Sequence, residues 1–238
     1  MNILVISPKI GEDSAKRLAL NLNAKYINPF KTEERDFSKF THIINYGFSR
    51  KIKGTVIINK PQLIQITRDK VKCFKLLKDK CNTVPFTEDK NLALYWINIG
   101  RTVVARTLTK ADNGKGLIYC NTKENIEDVH AKFYTRFTPH VAELRVNVWK
   151  GKILSIYHKK RNKGFFDFLL LREKQFVENM QIIQIVEKIY KEIPIDWCGI
   201  DLLLSKDGTL FFLEINSAPI LYQYTLKKLT SIIKKEIE

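Results

Sequence analysis

The chain reads as an α/β protein assembled from small lobes, and three stretches carry that reading. Residues 2–6, Asn-Ile-Leu-Val-Ile, form an unbroken apolar run of the kind buried in a parallel sheet, and an amphipathic segment over residues 14–22 follows it. Leu144, Val146 and Val148 alternate with Arg145, Asn147 and Trp149, the period of a strand with two unlike faces. Near the C-terminus, WCGIDLLLSKDGTLFFLEINSAP sets two apolar, β-rich runs on either side of Asp207-Gly208, a strong turn signal. Strands alternating with helices at the start and pairing through hairpins later give mixed α/β and α+β lobes.

Taken in order, the helix over 14–22 keeps Leu18 and Leu22 on one side, and Tyr26-Ile27, residues 42–45 and residues 55–58 are short strands. This alternation makes residues 1 to about 60 a small α/β lobe with Asn59-Lys60-Pro61 as its exit, and its limit is set at residue 66. Residues 69–80 predict a helix with Val71, Phe74 and Leu77 inward and Asp69 at its positive end. After Val84-Pro85-Phe86-Thr87, an amphipathic helix carries Leu92, Tyr95, Trp96 and Ile99 and stops at Gly100. Residues 102–106 read as a strand, 108–116 as a polar loop containing Gly114-Lys115-Gly116, 117–120 as the partner strand and 133–137 as an edge strand. The alternating strand turns at Lys150-Gly151 and returns over 153–158, and a polar stretch spans 159–164. Ile182, Ile185, Val186 and Ile189 mark one face of a helix from about 174 to 191, and Leu226, Leu229, Ile233 and Ile237 mark a closing helix after the C-terminal hairpin.

Composition bounds the class. With 238 residues, 45% apolar and 28% charged, the chain is that of a globular protein, no apolar run approaches a membrane span, and the opening MNILVISPKIGED has no basic leader. The cell interior is the expected location. Cys73, Cys81, Cys120 and Cys198 form no Cys-x-x-Cys pair and read as buried thiols. The net charge of +16, from 41 Lys plus Arg against 25 Asp plus Glu, is dispersed along the chain and accompanied by abundant Ile and Asn, as an AT-rich genome alone would produce. It reads as solvated surface, so that any association with nucleic acid is expected to be weak, non-specific and salt-sensitive.

Chemistry concentrates in the C-terminal hairpin. With Asp207 and Gly208 as the loop, counting back along the ladder opposes Asp201 to Glu214, and Asn216 shares the face of Glu214. Opposed carboxylates repel and lose hydration inside apolar strands, so a hard cation is the natural compensation, and oxygen ligands suit magnesium. A solvated acidic edge is the competing reading, and Ile200, Leu202, Leu203, Leu204 and the run from Phe211 to Leu213 argue against it.

This order of elements resembles the ATP-grasp superfamily of carboxylate-amine ligases, most closely the RimK type and short phage-encoded relatives, from about residue 67 to 221. The resemblance implies an ATP-grasp fold with a lid subdomain over 67–137 and a C-terminal subdomain with a mixed or antiparallel sheet over 138–238. Within it, Lys70 of Arg68-Asp69-Lys70 and Arg106 of Val103-Val104-Ala105-Arg106 look like the cations that hold ATP phosphates; lysine is usual at the second position, and a guanidinium can pair its hydrogen bonds there. Gly114, Lys115 and Gly116 resemble the loop that covers the triphosphate, although the bare pattern is also that of a turn. Thr135, Arg136 and Phe137 of Tyr134-Thr135-Arg136-Phe137 resemble the hinge whose backbone reads adenine. Glu143-Leu144-Arg145 and Lys159-Lys160-Arg161 resemble a strand and basic stretch lining the cleft, which makes Arg145, Lys160 and Arg161 the candidates for catalysis. Asp201, Glu214 and Asn216 look like the magnesium ligands, and Ile220 stands where the family usually has glycine. The implied reaction joins a small-molecule or peptide carboxylate to an amine through an acyl phosphate, with ATP and magnesium. The rival reading is a non-catalytic nucleotide-binding or structural module that docks on nucleic acid through its lysines.

Overall fold

Ile3–Ile6 (β1) is buried at every residue, which places it inside a sheet and not at its rim. A computed structural model of the chain describes residues 2–32, 36–110, 115–162, 165–171 and 179–237. In it β1 lies between Lys25–Ile27 (β2) and His42–Asn45 (β3), with Val56–Ile58 (β4) beyond, all parallel. Parallel neighbours need crossovers, and Glu12–Asn21 (α1) supplies the first, burying Ala15, Leu18 and Ala19. Pro61, read from sequence as an exit, instead opens Pro61–Arg68 (α2), where its fixed φ and missing N–H suit the first helical position. Asp69 then separates α2 from Lys70–Leu77 (α3) with an extended backbone, and its side chain accepts from Lys72 N (3.2 Å).

A second sheet, wholly antiparallel, has the order β5-β8-β6-β7 and comprises Phe86–Thr87 (β5), Val103–Arg106 (β6), Leu117–Cys120 (β7) and Phe133–Arg136 (β8). The strand expected at an edge, β8, is interior, because the two residues of β5 cover its outer side. Lys90–Asn98 (α4) and Lys123–Glu127 (α5) cover one face, where Ala93, Trp96, Val103, Ala105, Cys120, Ile126 and Tyr134 pack together. Strand alternation sends Val104, Arg106, Tyr119, Phe133 and Thr135 to the other face.

The largest sheet is antiparallel with the order β11-β10-β9-β12-β13, comprising Ala142–Trp149 (β9), Lys152–Asn162 (β10), Phe165–Leu171 (β11), Trp197–Leu204 (β12) and Leu210–Asn216 (β13). The polar stretch expected after residue 158 is strand as far as Asn162, and it pairs with β11, an element with no counterpart in the sequence reading. On one face, Leu144, Val146, Ile200, Leu202 and Phe212 pack with Phe74, Leu77, Ile182, Val186 and Ile189 of α3 and Met180–Glu192 (α6). The earlier part of the helix expected from residue 174 lies outside the described residues. The final helix, Gln223–Ile237 (α7), buries Leu226, Leu229 and Ile233 with Ile3, Val5, Leu18 and Trp197, so the N-terminal lobe and the C-terminal half share one core.

In the largest sheet, two bulges fix what faces what. Leu204 pairs with Leu210, so the hairpin loop holds five residues and not two; the bulge at Leu213 then shifts the register back and opposes Asp201 to Glu214. Between β9 and β10, Leu154 is bulged into the core under α7, and the shift sets Lys159 opposite Glu143. Among the described residues no helix is long and apolar enough to cross a membrane.

Candidate active site

The polar face of the large sheet carries two neighbouring rows of charge. Asp201 sits between Arg145 of β9 and Glu214 of β13, Tyr157 of β10 lies beyond Arg145, and Lys159 and Glu143 form the neighbouring row. Asp201 is fully buried. Arg145 donates to both its oxygens, from Nε to Oδ1 and from Nη2 to Oδ2 (2.8 Å), while Lys159 Nζ reaches Oδ2 at 3.1 Å and also pairs with Glu143. Lys70, from the first turn of α3, comes around the β13 edge to Glu214 Oε2 (3.2 Å), and Asn216 Nδ2 donates to Glu214 Oε1 (3.1 Å). Thus the opposed carboxylates foreseen in the hairpin are neutralised by three cations of the chain itself.

The electrostatics follow from this packing. Burial alone would raise the Glu214 carboxyl; the charges of Lys70, Lys159 and Arg145 and the Asn216 hydrogen bond outweigh it and bring the group down to about 2. Burial pushes Glu143 up, aided by the charges of Asp201 and Glu214 and opposed by Lys159. Lys159 and Arg145 are both held above their ordinary values, because neighbouring carboxylates outweigh desolvation.

Arg106 presents a contrast. It is 9% exposed, its Nε donates to Thr135 Oγ1 (3.3 Å), and its guanidinium lies 5.6 Å from the Phe133 ring centre, yet it forms no ion pair with a described carboxylate. Desolvation lowers its pKa and the Glu214 charge opposes the shift, so Arg106 lies within electrostatic reach of that carboxylate. On the same face Tyr119 and Phe137 are 54% and 40% exposed, with ring centres 6.3 Å apart, giving the small sheet an open aromatic wall beside a buried cation. Thr135 is buried there, whereas Arg136 pairs with Val103 and takes the α4 side. The Arg136 and Phe137 amides are already used, donating to Pro85 O (2.9 Å) and Thr102 O (2.8 Å).

The glycine loop is tied to α3. Lys70 N donates to Thr109 O (3.2 Å), and Thr107 N to Gly116 O (3.0 Å). Gly116 has φ +72, and a Cβ would lie 2.6 Å from Thr107 Oγ1, so glycine is needed to close this loop. Lys115 is exposed, and Gly114 lies outside the described residues. Of the basic stretch, Lys159 and not Lys160 turns inward: alternation puts the exposed Lys160 on the opposite face, and the Arg161 side chain lies outside the described residues. Lys159 was not singled out from the sequence; counting back from the Lys150-Gly151 turn would set His158 opposite Glu143, and only the Leu154 bulge brings Lys159 there.

The N-terminal lobe holds the start of β12 and the segment that follows Asn216. Asn59 donates to Trp197 O (2.7 Å) and accepts from Trp197 N (3.0 Å), Tyr46 Oη donates to Pro219 O, Ser14 Oγ accepts from Leu221 N (3.0 Å), and Arg17 Nη1 donates to Leu221 O (2.9 Å). Ile220, next to this clamp, is 54% exposed.

Comparison with known proteins agrees with this architecture. The chain is 24% identical over 212 residues to a protein of Vibrio vulnificus (strain YJ016) named probable alpha-L-glutamate ligase, covering 79% of this chain and 69% of that one. A protein of Psychromonas ingrahamii with the same name is 25% identical over 191 residues, covering 71% and 61%. Among solved structures, the ATP-grasp ligase PsnB in complex with a minimal precursor superposes with a TM-score of 0.74 at 10% identity over 99% of both chains. D-alanine–D-alanine ligase from Bacillus anthracis gives 0.70 at 15% identity over 100% of both. These likenesses show the ATP-grasp fold. Residues 67–238, well over half of the chain, match the RimK-like ATP-grasp domain, and the chain belongs to that family.

Proposed function

We propose that the chain is an ATP- and magnesium-dependent ligase that joins a carboxylate to an amine. Ligase chemistry is the common property named for its relatives and for the solved structures of its fold, and the substrates are small-molecule or peptide carboxylates and amines. The observation that carries the reading is the gathering of Lys70, Arg145 and Lys159 on the Asp201–Glu214 pair, with Arg106 of the small sheet buried, within electrostatic reach of Glu214 and without a described carboxylate partner. A polyanion fits a cleft built that way.

The donor set fits magnesium. Asp201, Glu214 and Asn216 offer oxygen on one face of adjacent strands, and Asn216, having given Nδ2 to Glu214, keeps Oδ1 as an acceptor with no partner among the described residues. Once bound, the metal would neutralise phosphate charge. Lys70 and Arg106 hold the phosphates from the helix and small-sheet sides, and the Tyr119–Phe137 wall receives the base. Arg145 and Lys159 orient the carboxylate whose oxygen attacks the γ-phosphorus, giving an acyl phosphate and ADP; the amine then displaces phosphate. Phosphoryl transfer demands little covalent work from the protein, so positioned cations supply most of the stabilisation. ADP release measured across a screen of amino acids and short peptides tests this. Release should require magnesium, one carboxylate and one amine; tight ATP binding with no ADP released under any pairing would favour the non-catalytic module.

A further inference from the structure

Every oxygen of the Asp201–Glu214 pair is engaged by a donor of the chain itself. Asp201 Oδ1 accepts from Arg145 Nε, and Oδ2 from Arg145 Nη2 (2.8 Å) and Lys159 Nζ (3.1 Å); Glu214 Oε1 accepts from Asn216 Nδ2 (3.1 Å), and Oε2 faces Lys70 Nζ (3.2 Å). These donors differ in how readily they can yield. Arg145 is held by two hydrogen bonds and by its bed: it lies over Gly199, where a Cβ would stand 2.6 Å from Arg145 Cδ and 3.0 Å from Pro219 Cβ. Lys159 is shared between two carboxylates. Lys70 is an ammonium on a flexible stem, reaching around the sheet edge to a carboxylate whose side chain is 25% exposed, the most open of these contacts. It is therefore the donor that can leave.

Its position also decides what can enter. A divalent cation at Glu214 Oε2 would meet the Lys70 ammonium at close range in a poorly hydrated site, and two cations repel strongly there. A phosphate oxygen changes the balance, because it offers the ammonium a new anionic partner and frees Glu214 in the same movement. We propose that Lys70 is a latch on the candidate metal site: it occupies Glu214 in the nucleotide-free chain, excludes free divalent metal, and moves to phosphate when nucleotide arrives, so that metal enters with nucleotide and not before it. This rests on the reading of Asp201, Glu214 and Asn216 as metal donors.

Manganese, followed by electron paramagnetic resonance of the free ion, tests the latch without any turnover. In the absence of nucleotide, Lys70→Met should bind Mn2+ at least tenfold more tightly than the wild type, and Lys70→Gln, which keeps an amide near Glu214 but drops the charge, should show a gain in the same direction. Adding Glu214→Gln to Lys70→Met should abolish the gain, which assigns it to this site. With ADP present the wild type should bind Mn2+ at least tenfold more tightly than without it. Equal nucleotide-free affinity in wild type, Lys70→Met and Lys70→Gln would overturn the latch and leave the metal donors standing. Failure of all the proteins to bind Mn2+, with or without ADP, would refute the donors and the latch together.

Discussion

Arg106 and Arg145 are buried alike, at 9% and 8% exposure, and only Arg145 is paired with a described carboxylate. Removing Arg106 should therefore separate function from stability. Among the described residues its interactions are one hydrogen bond to a hydroxyl and a contact with the Phe133 ring, together worth about 1–2 kcal/mol, against a desolvation cost of several kcal/mol that no described carboxylate offsets. Arg106→Ala should thus change unfolding free energy by less than about 1 kcal/mol, or raise it. If the guanidinium holds phosphate, the same substitution should weaken binding of a non-hydrolysable ATP analogue by about 1.5–3 kcal/mol, the scale of hydrogen bonds to charged groups, or about 10- to 140-fold. Arg106→Lys should recover only part of this, since an ammonium keeps the charge and loses the paired geometry. Calorimetric titration and urea denaturation of the three proteins measure both quantities. Wild-type affinity in Arg106→Ala, or a stability loss near the roughly 3–5 kcal/mol of a broken buried ion pair, would show that Arg106 is structural.

Arg145→Ala should behave in the opposite way, destabilising the chain by about 3 kcal/mol in urea because Asp201 is fully buried and, among the described residues, only Lys159 remains paired with it. Glu214→Gln should keep the fold and lose magnesium-dependent ATP turnover, and unchanged turnover would remove Glu214 from the metal donors. The Glu214 carboxyl is held at about 2, below its ordinary 4.5, so its stabilising contribution is complete above pH 4.5 and is lost as pH falls toward 2. Denaturation profiles between those limits should therefore be flatter in Glu214→Gln. Trypsin cleavage after the exposed Lys110 and Lys115 should slow when magnesium and an ATP analogue are bound, while equal rates would count against closure of this loop over nucleotide.

Local periodicity was enough for most of the elements, and long-range register was not. The buried run of β1, the inward faces of α3, α4 and α6, and both arms of the C-terminal hairpin are legible because apolar spacing reports them directly. The opposition of Asp201 and Glu214 was reached through two departures that cancel: the loop is longer than Asp207-Gly208, and Leu213 is bulged. The same kind of bulge, at Leu154, moved Lys159 into the site and left Lys160 outside. A bulge is chosen by packing; Leu154 is pulled under α7, and nothing in the residues around it announces this. The long arm of β10 was hidden for a related reason. Its run of Lys, Lys, Arg and Asn has the composition of a loop, and strand pairing with β9 and β11 overrides that preference.

The Arg145–Asp201 pair was out of reach of sequence reasoning because 56 residues separate its members and neither neighbourhood names the other. It also alters the argument for a metal. Opposed carboxylates within apolar strands do require compensation, but Arg145, Lys159 and Lys70 already provide it, so the opposition alone does not call for an ion. What favours one is the geometry of the compensation: a bidentate guanidinium on Asp201, a flexible ammonium from the sheet edge and an amide on Glu214, and an Asn216 oxygen beside them with no partner among the described residues. A purely structural ion network would have no reason to leave its outermost carboxylate on the most flexible cation, nor to bury Arg106 opposite it without a described acid. Both features become favourable together only when a polyanion enters between the two sheets, giving Arg106 its partner and Lys70 its alternative.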